Sequence, residues 1–439
     1  MQGEARVSTR RHPRLGALDA LRHREFAVFF GAALVSNTGG WFQSLAAPFL
    51  VYEITRSNTW LGIAGFTGLF PGLLLGPLAG ILADRYPRRR ILLVTQSVHA
   101  SVALGLCSLA ASGAATAPRI VALLLLGGIA NAVQMASWQS YVPLLVPRES
   151  LADAVRLNSS QFTISRALGP ALGGVVLASA GAAVAFGVNA LSFGLVIAAL
   201  ALGRPRAAPV TGDASPLEQL RAGVGAVLGS GALRIAVLTA FAVSLLGQSV
   251  MQLAAGIAAE VYGVGEIGLG AMTSMFGTGA MLGALAIAFF PDAGTRSGMT
   301  QVGLLGYSGG LGLVAATRQL GFGLVGFLLM GISHVLVTIS LNTSVQMQVS
   351  EELRGRVMAL YLMGIFAGVP LGALGLGSLG DAFGLQAAVA AAASGIGLFA
   401  LAGLLLRAFQ PLDAQPASEA PTGAGAPAPP VVGSESRLR

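Results

Sequence analysis

The stretch GILADRYPRRR, residues 80–90, places one acid and four arginines within seven positions of a chain that is otherwise poor in charge. Only 10% of the 439 residues are charged and 54% are hydrophobic, and the mean hydropathy is +0.75. A soluble domain carries roughly a quarter charged residues. Apolar runs of about 20 residues, the length that crosses a bilayer, flank the stretch and recur along the chain. The sequence therefore predicts a polytopic membrane protein in which residues 80–90 connect two spans.

Twelve segments are long and apolar enough to cross a membrane. Because backbone exposed to lipid must satisfy its own hydrogen bonds, each segment is predicted to be a helix. Numbered in chain order, spans 1–12 cover residues 26–50, 60–83, 91–112, 120–143, 155–178, 183–203, 234–257, 266–290, 299–317, 321–343, 355–378 and 385–407.

Arginine placement sets the expected orientation. If both termini are cytoplasmic, the outer loops contain only Arg56, Arg119 and Arg318, and Arg166 lies within span 5. All the other arginines then fall on the cytoplasmic side, which is the bias that orients membrane proteins. The pattern predicts cytoplasmic termini and an even number of spans.

The longest internal connection divides the twelve spans into two sets of six. The sequence D-x-x-x-R at 84–88 recurs at 292–296, and Pro170 of span 5 has Pro370 of span 11 as its counterpart, which favours a duplicated six-helix repeat. Within the linker, residues 215–228 are predicted to form a short amphipathic helix. The expected domains are a cytoplasmic N-terminal segment (1–25), an N-terminal six-helix bundle (26–203), a cytoplasmic linker (204–233), a C-terminal six-helix bundle (234–408) and a disordered cytoplasmic tail (409–439).

Glycines repeat at a spacing of four in several spans, and such small residues allow two helices to approach closely in lipid. From these stripes we predict that span 2 packs on span 11 and that span 5 packs on span 8. Asp84 extends the stripe of span 2, so we expect it to face the start of span 11. The stripe residues are Gly72, Gly76 and Gly80 of span 2, Gly169 and Gly173 beside Pro170 of span 5, Gly279 and Gly283 of span 8, and Gly364, Gly368 and Gly372 of span 11.

Three stretches carry a family resemblance. Residues 80–90 resemble the signature loop after the second helix of the major facilitator superfamily, whose pattern is G-x-L-a-D-R-x-x-R-[KR]-x. The sequence RALGPALGG at 166–174 is similar to the Gly-Pro motif in helix 5 of its drug exporters, and residues 29–55 resemble the branch of enterobactin exporters and macrolide efflux pumps. The resemblance covers residues 20–408.

The resemblance implies an all-α fold of two pseudo-symmetric six-helix bundles that rock about a central site, in the inner membrane of a bacterium. It assigns a gating role to Gly80, Asp84, Arg85, Arg88 and Arg89, with Asp84 holding the cytoplasmic gate shut at the start of span 11. A helix N-terminus carries about +0.5 of a charge, which suits an anion there. The alternative is that the arginines only set topology and contact lipid headgroups.

Arg166 lies about halfway along span 5. A permanent charge at that depth needs a wet cavity or a set of acceptors. We hypothesise that Arg166 contacts an anionic or acceptor-rich part of a substrate. The alternative is a structural role, in which Arg166 bonds amide side chains or carbonyl groups near the helix kink.

Other polar residues at middle depth suit a large, hydrogen-bonding, partly apolar ligand. Some of them could instead bond neighbouring helices to one another. Gln43 and the titratable His99 also fall in this zone. The substrate-binding candidates besides Arg166 are Asn37, Trp41, Gln134, Trp138, Gln161, Gln248, Gln252 and Asn342.

No acid falls in the central third of a span, so a proton-coupling site has few candidates. His334 lies in the middle of span 10 and can titrate near neutral pH; Glu53 and Asp84 are the other candidates. The alternative for His334 is a packing residue. Antiporters of the resembled superfamily usually place an arginine within helix 4, whereas Arg119 of this chain lies at the outer end of span 4.

The leading hypothesis is a secondary active, proton-coupled exporter of small amphiphilic molecules such as drugs, siderophores or secreted metabolites. An importer or uniporter of a small solute is the alternative. An intramembrane enzyme is disfavoured, because the chain has no H-E-x-x-H motif and no central pair of carboxylates. We expect no metal, no cofactor and no nucleic-acid partner, and a monomer whose partners are the substrate, the proton and the lipid bilayer.

Overall fold

The computed structural model describes residues 19–203, 216–290 and 294–414, and in these ranges helices are joined by short turns and loops, with no strand. Parts of the predicted N-terminal segment, linker and tail lie outside the described residues, at 1–18, 204–215 and 415–439. Asp292 also lies outside them. Span 1 is the helix Arg24–Thr55, span 2 Asn58–Arg85, span 3 Arg88–Ala111, span 4 Ala117–Tyr141, span 8 Glu266–Phe289, span 9 Arg296–Ala316, span 10 Leu320–Gln348, span 11 Glu351–Phe383 and span 12 Leu385–Leu405.

Spans 5 and 6 form the two legs of one helical segment, Leu151–Leu202. Gly181 reverses the chain between them with φ 78° and ψ 173°, a left-handed φ that glycine adopts without the strain of a Cβ. The predicted linker contains a helix, Pro216–Gly229, as expected. Shorter helical turns lie at Asp19–Arg22, Val142–Leu145, Arg148–Ser150 and Gln410–Asp413.

Span 7 is not a uniform α-helix. It runs as Gly231–Leu246, then as the 3₁₀ segment Gln248–Leu253, then as Ala254–Gly256 and the wider turn Ile257–Val261. Irregular backbone at membrane depth is tolerated where it is buried in protein or lines a cavity. This break is the local feature that positions part of the site described below.

By length and hydropathy, nine helical segments of the described chain qualify as membrane spans. One of them, residues 148–202, contains both legs of the hairpin, and spans 1 and 9 are the two further long helices. The helix count therefore agrees with twelve spans. We use "outer" for the end at which spans 1 and 2, 3 and 4, and 5 and 6 are joined, and "inner" for the opposite end.

The same packing order occurs in both halves of the chain. In the first half, span 1 packs on the hairpin of spans 5 and 6, span 2 on span 4, and span 3 on span 4 and the hairpin. In the second half, span 7 packs on span 11, span 8 on span 10, and span 9 on spans 10 and 12. Between the halves, span 2 packs on span 11 and the hairpin packs on span 8, which are the two predicted pairings.

Different glycines from those predicted make the contacts between the halves. A Cβ on Gly62 would lie 2.5 Å from the carbonyl oxygen of Ala373, and one on Gly277 would lie 2.6 Å from that of Arg166. A Cβ on Gly174 would lie 2.9 Å from the Cα of Gly270. At these points the backbones of the two halves touch, so a side chain of any size would separate them.

The predicted stripes of spans 5, 8 and 11 instead pack within their own halves, which corrects their assignment to the inter-half contacts. Gly169 and Gly173 face Trp41, Phe42 and Leu45 of span 1. In the second half, Gly364, Gly368 and Gly372 face span 7, and Gly279 and Gly283 face Leu328 and Ile332 of span 10. A glycine stripe indicates that some helix approaches closely, but every central helix has neighbours in both halves.

The contact between spans 2 and 11 loosens toward the inner end. A Cβ on Gly72 would lie 3.8 Å from the ring of Phe366, and one on Gly76 would meet no described atom within 4 Å, whereas Gly62 near the outer end has no room for a Cβ. The halves therefore converge at the outer end and diverge at the inner end along this pair of helices. The side chains of Gly80 and Asp84 lie outside the described residues.

Candidate functional site

A central cavity of about 520 Å³ lies between the two halves. Both halves contribute to its wall, which is mainly apolar with a few polar groups, the usual make-up of a small-molecule site. The lining side chains used below are Trp41, Gln43, His99, Asn131 and Arg166 of the first half, and Gln248, Gln252, Thr273, Phe276 and Phe366 of the second.

Glycines and the break in span 7 create this space. Gly65, Gly68 and Gly128 line the cavity, and a Cβ on Gly128 would lie 2.7 Å from the carbonyl oxygen of Gly68, so spans 2 and 4 are in backbone contact there. In span 7, the 3₁₀ segment presents both Gln248 and Gln252 to the cavity. Gln252 also packs against Gly65 of the opposite half, with its Cγ 3.1 Å from the position of a Cβ there.

Arg166 supplies the only permanent charge among the described side chains that line the cavity. Its side chain is exposed, and its carbonyl oxygen lies against Gly277 of span 8, at the contact between the halves. Within the described part of the chain, no hydrogen-bond acceptor or carboxylate pairs with its guanidinium, and no acid lines the cavity. The cavity therefore carries a net positive charge, and the five N–H donors of the Arg166 guanidinium are free to bind a ligand.

Aromatic rings surround this charge. Trp41 packs on Gly169 one turn from Arg166, and Phe276 and Phe366 face the cavity from the second half. His99 stacks on Phe193 with 5.3 Å between ring centroids, which fixes its ring at the wall. Flat apolar or aromatic ligand surfaces would pack against such rings.

Four of the predicted substrate-binding residues line the cavity, namely Arg166, Trp41, Gln248 and Gln252. The side chains of Asn37, Gln134, Trp138, Gln161 and Asn342 do not line it.

Four of these five residues bond or pack elsewhere. Gln134 accepts a hydrogen bond from Gln96 at 3.1 Å, Gln161 donates to Asn158 at 2.8 Å, and Asn342 accepts from Gln346. Trp138 is 7% exposed and packs 4.9 Å from the ring of Phe29, while the amide nitrogen of Asn37 is buried with no partner among the described residues. Depth along a span could be estimated from the sequence, but the direction of each helix face could not.

Sequence reasoning missed Asn131, Thr273, Phe276 and Phe366 of the cavity wall. Asn131 follows the glycine pair 127–128 by one turn, and that pair marks the close face of span 4. This spacing is a signal that could have found Asn131. Nothing in the sequence distinguishes Phe276 and Phe366 from other apolar residues of their spans.

Two of the proton-coupling candidates, His334 and Glu53, lie outside the cavity wall. His334 packs behind it, with its ring centroid 5.7 Å from that of Phe276 and 6.4 Å from that of Tyr307, and its Nδ1 is buried with no partner among the described residues. Glu53 is exposed at the outer end of span 1. The side chain of Asp84 is outside the described residues.

The arginines of the signature loop lie at the inner end of the first half. Arg85 is exposed, and the Nε of Arg88 is buried without a described partner. Arg89 donates through Nε to the carbonyl oxygen of Leu200 and through Nη2 to that of Ala201, both at 2.6 Å. Arg89 therefore ties the start of span 3 to the end of span 6 by pairing with free carbonyl groups at a helix C-terminus.

The second half repeats this tie. Arg296, at the start of span 9, donates through Nη2 to the carbonyl oxygen of Asp413 at 2.7 Å, just after span 12. Asp413 in turn accepts from the backbone nitrogen of Ser297 at 2.9 Å. The duplicated arginine at 88 and 296 thus begins equivalent helices, although in the first half the next residue, Arg89, makes the bonds.

Two repeated six-helix bundles that enclose a central cavity define a transporter of the major facilitator superfamily. Its spans make it a multi-pass membrane protein, and the class is one of transporters. The chain belongs to the transmembrane secretion effector family, whose model matches residues 15–430.

Named relatives and solved structures agree with this assignment. The chain is 26% identical over 395 residues to the enterobactin exporter EntS of Shigella boydii serotype 18, and 25% identical over 395 residues to EntS of Escherichia coli O139:H28. Each alignment covers 88% of this chain and 91% of the relative.

Two solved structures show the same fold. The nucleoside transporter NupG matches with a TM-score of 0.72 at 14% identity, over 88% of this chain and 99% of that one. A bacterial homologue of the human lysosomal transporter Spinster matches with a TM-score of 0.72 at 17% identity, over 90% and 99%.

Proposed function

We propose that this protein exports small amphiphilic molecules that carry a negatively charged or acceptor-rich group. The observation that carries the proposal is Arg166, an unpaired cation in a cavity whose described wall contains no acid. Attraction between opposite charges is stronger beside mainly apolar walls than in bulk water. A ligand group that accepts two hydrogen bonds in one plane would match the guanidinium fork, while Trp41, Phe276 and Phe366 would cover its apolar part.

Export is the direction favoured by the relatives, two of which are named enterobactin exporters. The loosening of spans 2 and 11 toward the inner end supports a cavity that is reached from that side. We assign the inner end to the cytoplasm and the protein to the inner membrane of a bacterium, with both termini cytoplasmic. We propose that the protein works as a monomer, because residues of one chain line the described cavity on both sides.

Proton influx is the proposed energy source. His334 is the candidate best placed for coupling, because its ring contacts Phe276, and Phe276 is part of the cavity wall. Glu53 and Asp84 remain the other candidates. At the inner end, Asp84 and Arg85 are proposed to close the gate against the start of span 11 in the opposite conformation.

The test is efflux from cells with and without the protein, using a panel of amphiphilic anions, cations and neutral compounds. We expect protein-dependent efflux of anionic compounds that stops when a protonophore is added. Arg166→Gln should lower the initial rate at least about tenfold, as expected for loss of a charge-assisted hydrogen bond to the ligand. Arg119→Gln is the matched control, because Arg119 lies at the outer end of span 4 and donates only to Ala114.

Three results would contradict parts of the proposal separately. Full transport by a folded Arg166→Gln protein would exclude the anion site, and insensitivity to the protonophore would exclude proton coupling. Protein-dependent accumulation in place of efflux would favour the importer.

A further inference from the structure

Two carboxylates of the second half contact the outer turn between spans 1 and 2 of the first half. Asp381, in the last turn of span 11, accepts hydrogen bonds from Ser57 Oγ at 2.5 Å, from the backbone nitrogen of Asn58 at 2.6 Å and from that of Thr59 at 3.0 Å. Every donor belongs to one half and the acceptor to the other. These bonds therefore exist only while the outer end is closed.

Asp381 acts as a cap for a helix of the opposite half. Span 2 begins at Asn58, and the first backbone N–H groups of any helix have no partner within it. The capping residue in its own half, Ser57, accepts only from the backbone nitrogen of Trp60, at 3.4 Å. Asp381 accepts from the N–H groups of Asn58 and Thr59, and its negative charge lies at the positive end of the helix dipole.

Glu260 of span 7 makes a second contact of the same kind. Its Oε1 accepts from the Tyr52 hydroxyl at 2.7 Å and from the Asn58 amide nitrogen at 2.7 Å. The wider turn Ile257–Val261 contains Glu260. Asn58, which is only 1% exposed, is thus bonded by both acids at once.

Glycines allow Asn58 to sit this deep in the opposite half. Gly256 of span 7 faces its side-chain oxygen, and Gly377 of span 11 faces its carbonyl oxygen, each too closely for a Cβ. Backbone contact and charged hydrogen bonds therefore coincide at one point of the outer end. In the described chain neither Asp381 nor Glu260 forms an ion pair with an arginine, so their bonds to Ser57, Asn58, Thr59 and Tyr52 are the polar connection there.

We propose that Asp381 and Glu260 form an outer latch that holds the two halves together at the outer end and must release for the cavity to open outward. The five hydrogen bonds are all charge-assisted, the stronger class in proteins. Opening of the outer end exposes the two carboxylates and the start of span 2 to water. The free energy of these hydrogen bonds therefore helps to set the fraction of molecules in the inward-open conformation. The latch rests on alternating access, as proposed above, and is independent of the substrate.

The test measures from which side of the membrane the cavity can be reached. Cys107 is the only cysteine, so Cys107→Ser gives a background without thiols, and Ser44→Cys places a reporter on the cavity wall, where Ser44 is exposed. A membrane-impermeant maleimide is applied to intact cells for the outer side and to inverted membrane vesicles for the inner side. No substrate is needed, so failure of the latch and failure of the exporter hypothesis give different results.

In the reporter protein we expect labelling mainly from the inner side. Asp381→Asn combined with Glu260→Gln should raise the rate of labelling from the outer side about tenfold or more, because it removes the charge from five hydrogen bonds. Labelling from the inner side should fall correspondingly. Glu266→Gln is the matched control, because Glu266 is an acid at the outer start of span 8 whose carboxylate makes no bond to the first half among the described residues, and it should leave both rates unchanged.

A variant with a smaller change keeps the test informative if the double variant fails to fold. Tyr52→Phe removes one hydroxyl from Glu260 and keeps the ring, so it should change the labelling in the same direction by a smaller factor. Unchanged outer labelling in the double variant, with normal amounts of protein in the membrane, would overturn the latch. An equal rise of outer labelling in Glu266→Gln would also overturn it, because a general effect of removing an outer negative charge would then explain the result.

Discussion

At the scale of single residues, charge inside the membrane is the most informative feature of this chain. Arg166 stands out in the sequence because its position in span 5 is costly for a guanidinium. The structure shows where that cost is met, in a cavity formed by both halves. Gln248 and Gln252 could be anticipated in the same way, since amides at middle depth need polar partners.

Other single residues could not be placed from the sequence. Gln134 and Gln161 resemble Gln248 and Gln252 in chemistry and depth, yet their amides bond within the first half. The difference is the rotation of each helix about its axis, which is fixed by contacts with neighbours. Spans that are apolar on all sides do not reveal that rotation in their hydrophobic pattern.

His334 provides a prediction at this scale. If it carries the coupled proton, His334→Gln should flatten the dependence of efflux on pH between about 5.5 and 8, since histidine is the side chain that titrates there. The measurement is the initial efflux rate in buffers of stepped pH. His23→Gln is the control, because His23 lies at the inner end with its Nε2 3.1 Å from Ser150 Oγ. An unchanged pH profile in His334→Gln would leave this histidine as a packing residue.

At the scale of helices, glycine spacing correctly predicted which spans of the two halves pack together. The glycines that make the close contacts are, however, mostly not the ones from which the pairing was predicted. Gly364, Gly368 and Gly372 lie against span 7, while Gly377 and Gly62 make the contact between spans 2 and 11. Both sets are real close contacts. Each span of a bundle presents two or more faces to its neighbours, so one stripe cannot identify the partner.

Gly372 gives a direct test of helix packing. A Cβ there would overlap the carbonyl oxygen of Leu245 on span 7, so Gly372→Ala should lower the stability of the second half by about 1–3 kcal/mol, the usual cost of overpacking. Gly375→Ala is the control on the same helix, because a Cβ at Gly375 meets no described atom within 4 Å. The measurement is thermal unfolding in detergent.

The control should be neutral or stabilising by roughly 0.5–1 kcal/mol, because alanine is the better helix former. Equal melting temperatures for the two variants would show that spans 7 and 11 are further apart than described.

The break in span 7 is the element that sequence analysis did not anticipate. Residues 234–257 read as one continuous apolar span, and no proline marks the change from α-helix to the 3₁₀ segment Gln248–Leu253. The cause is tertiary packing. Gly247 lies against the ring of Tyr307, with 2.7 Å from a Cβ position to Cε1, and Gln252 packs on Gly65 of the other half.

At the scale of the whole molecule, repetition made the fold predictable. Span count, the recurring D-x-x-x-R sequence and the midpoint linker all indicated two bundles of six, and the same packing order appears in both halves. The sequence could not predict whether the cavity opens to the inner or the outer side, because this depends on whether the two halves touch at their inner or their outer ends. The outer contacts of Asp381 and Glu260 involve residues 52–59, which are far from both acids in sequence.

The central claim is that one cavity is open to the two sides of the membrane in turn while it carries substrate. Thr273→Cys in the Cys107→Ser background places a thiol on the cavity wall, on the side of span 8 that faces the first half. Impermeant maleimide should label it from the inner side at rest, and also from the outer side while a compound identified by the efflux panel is being exported. Labelling from one side only, unchanged during export, would contradict the account.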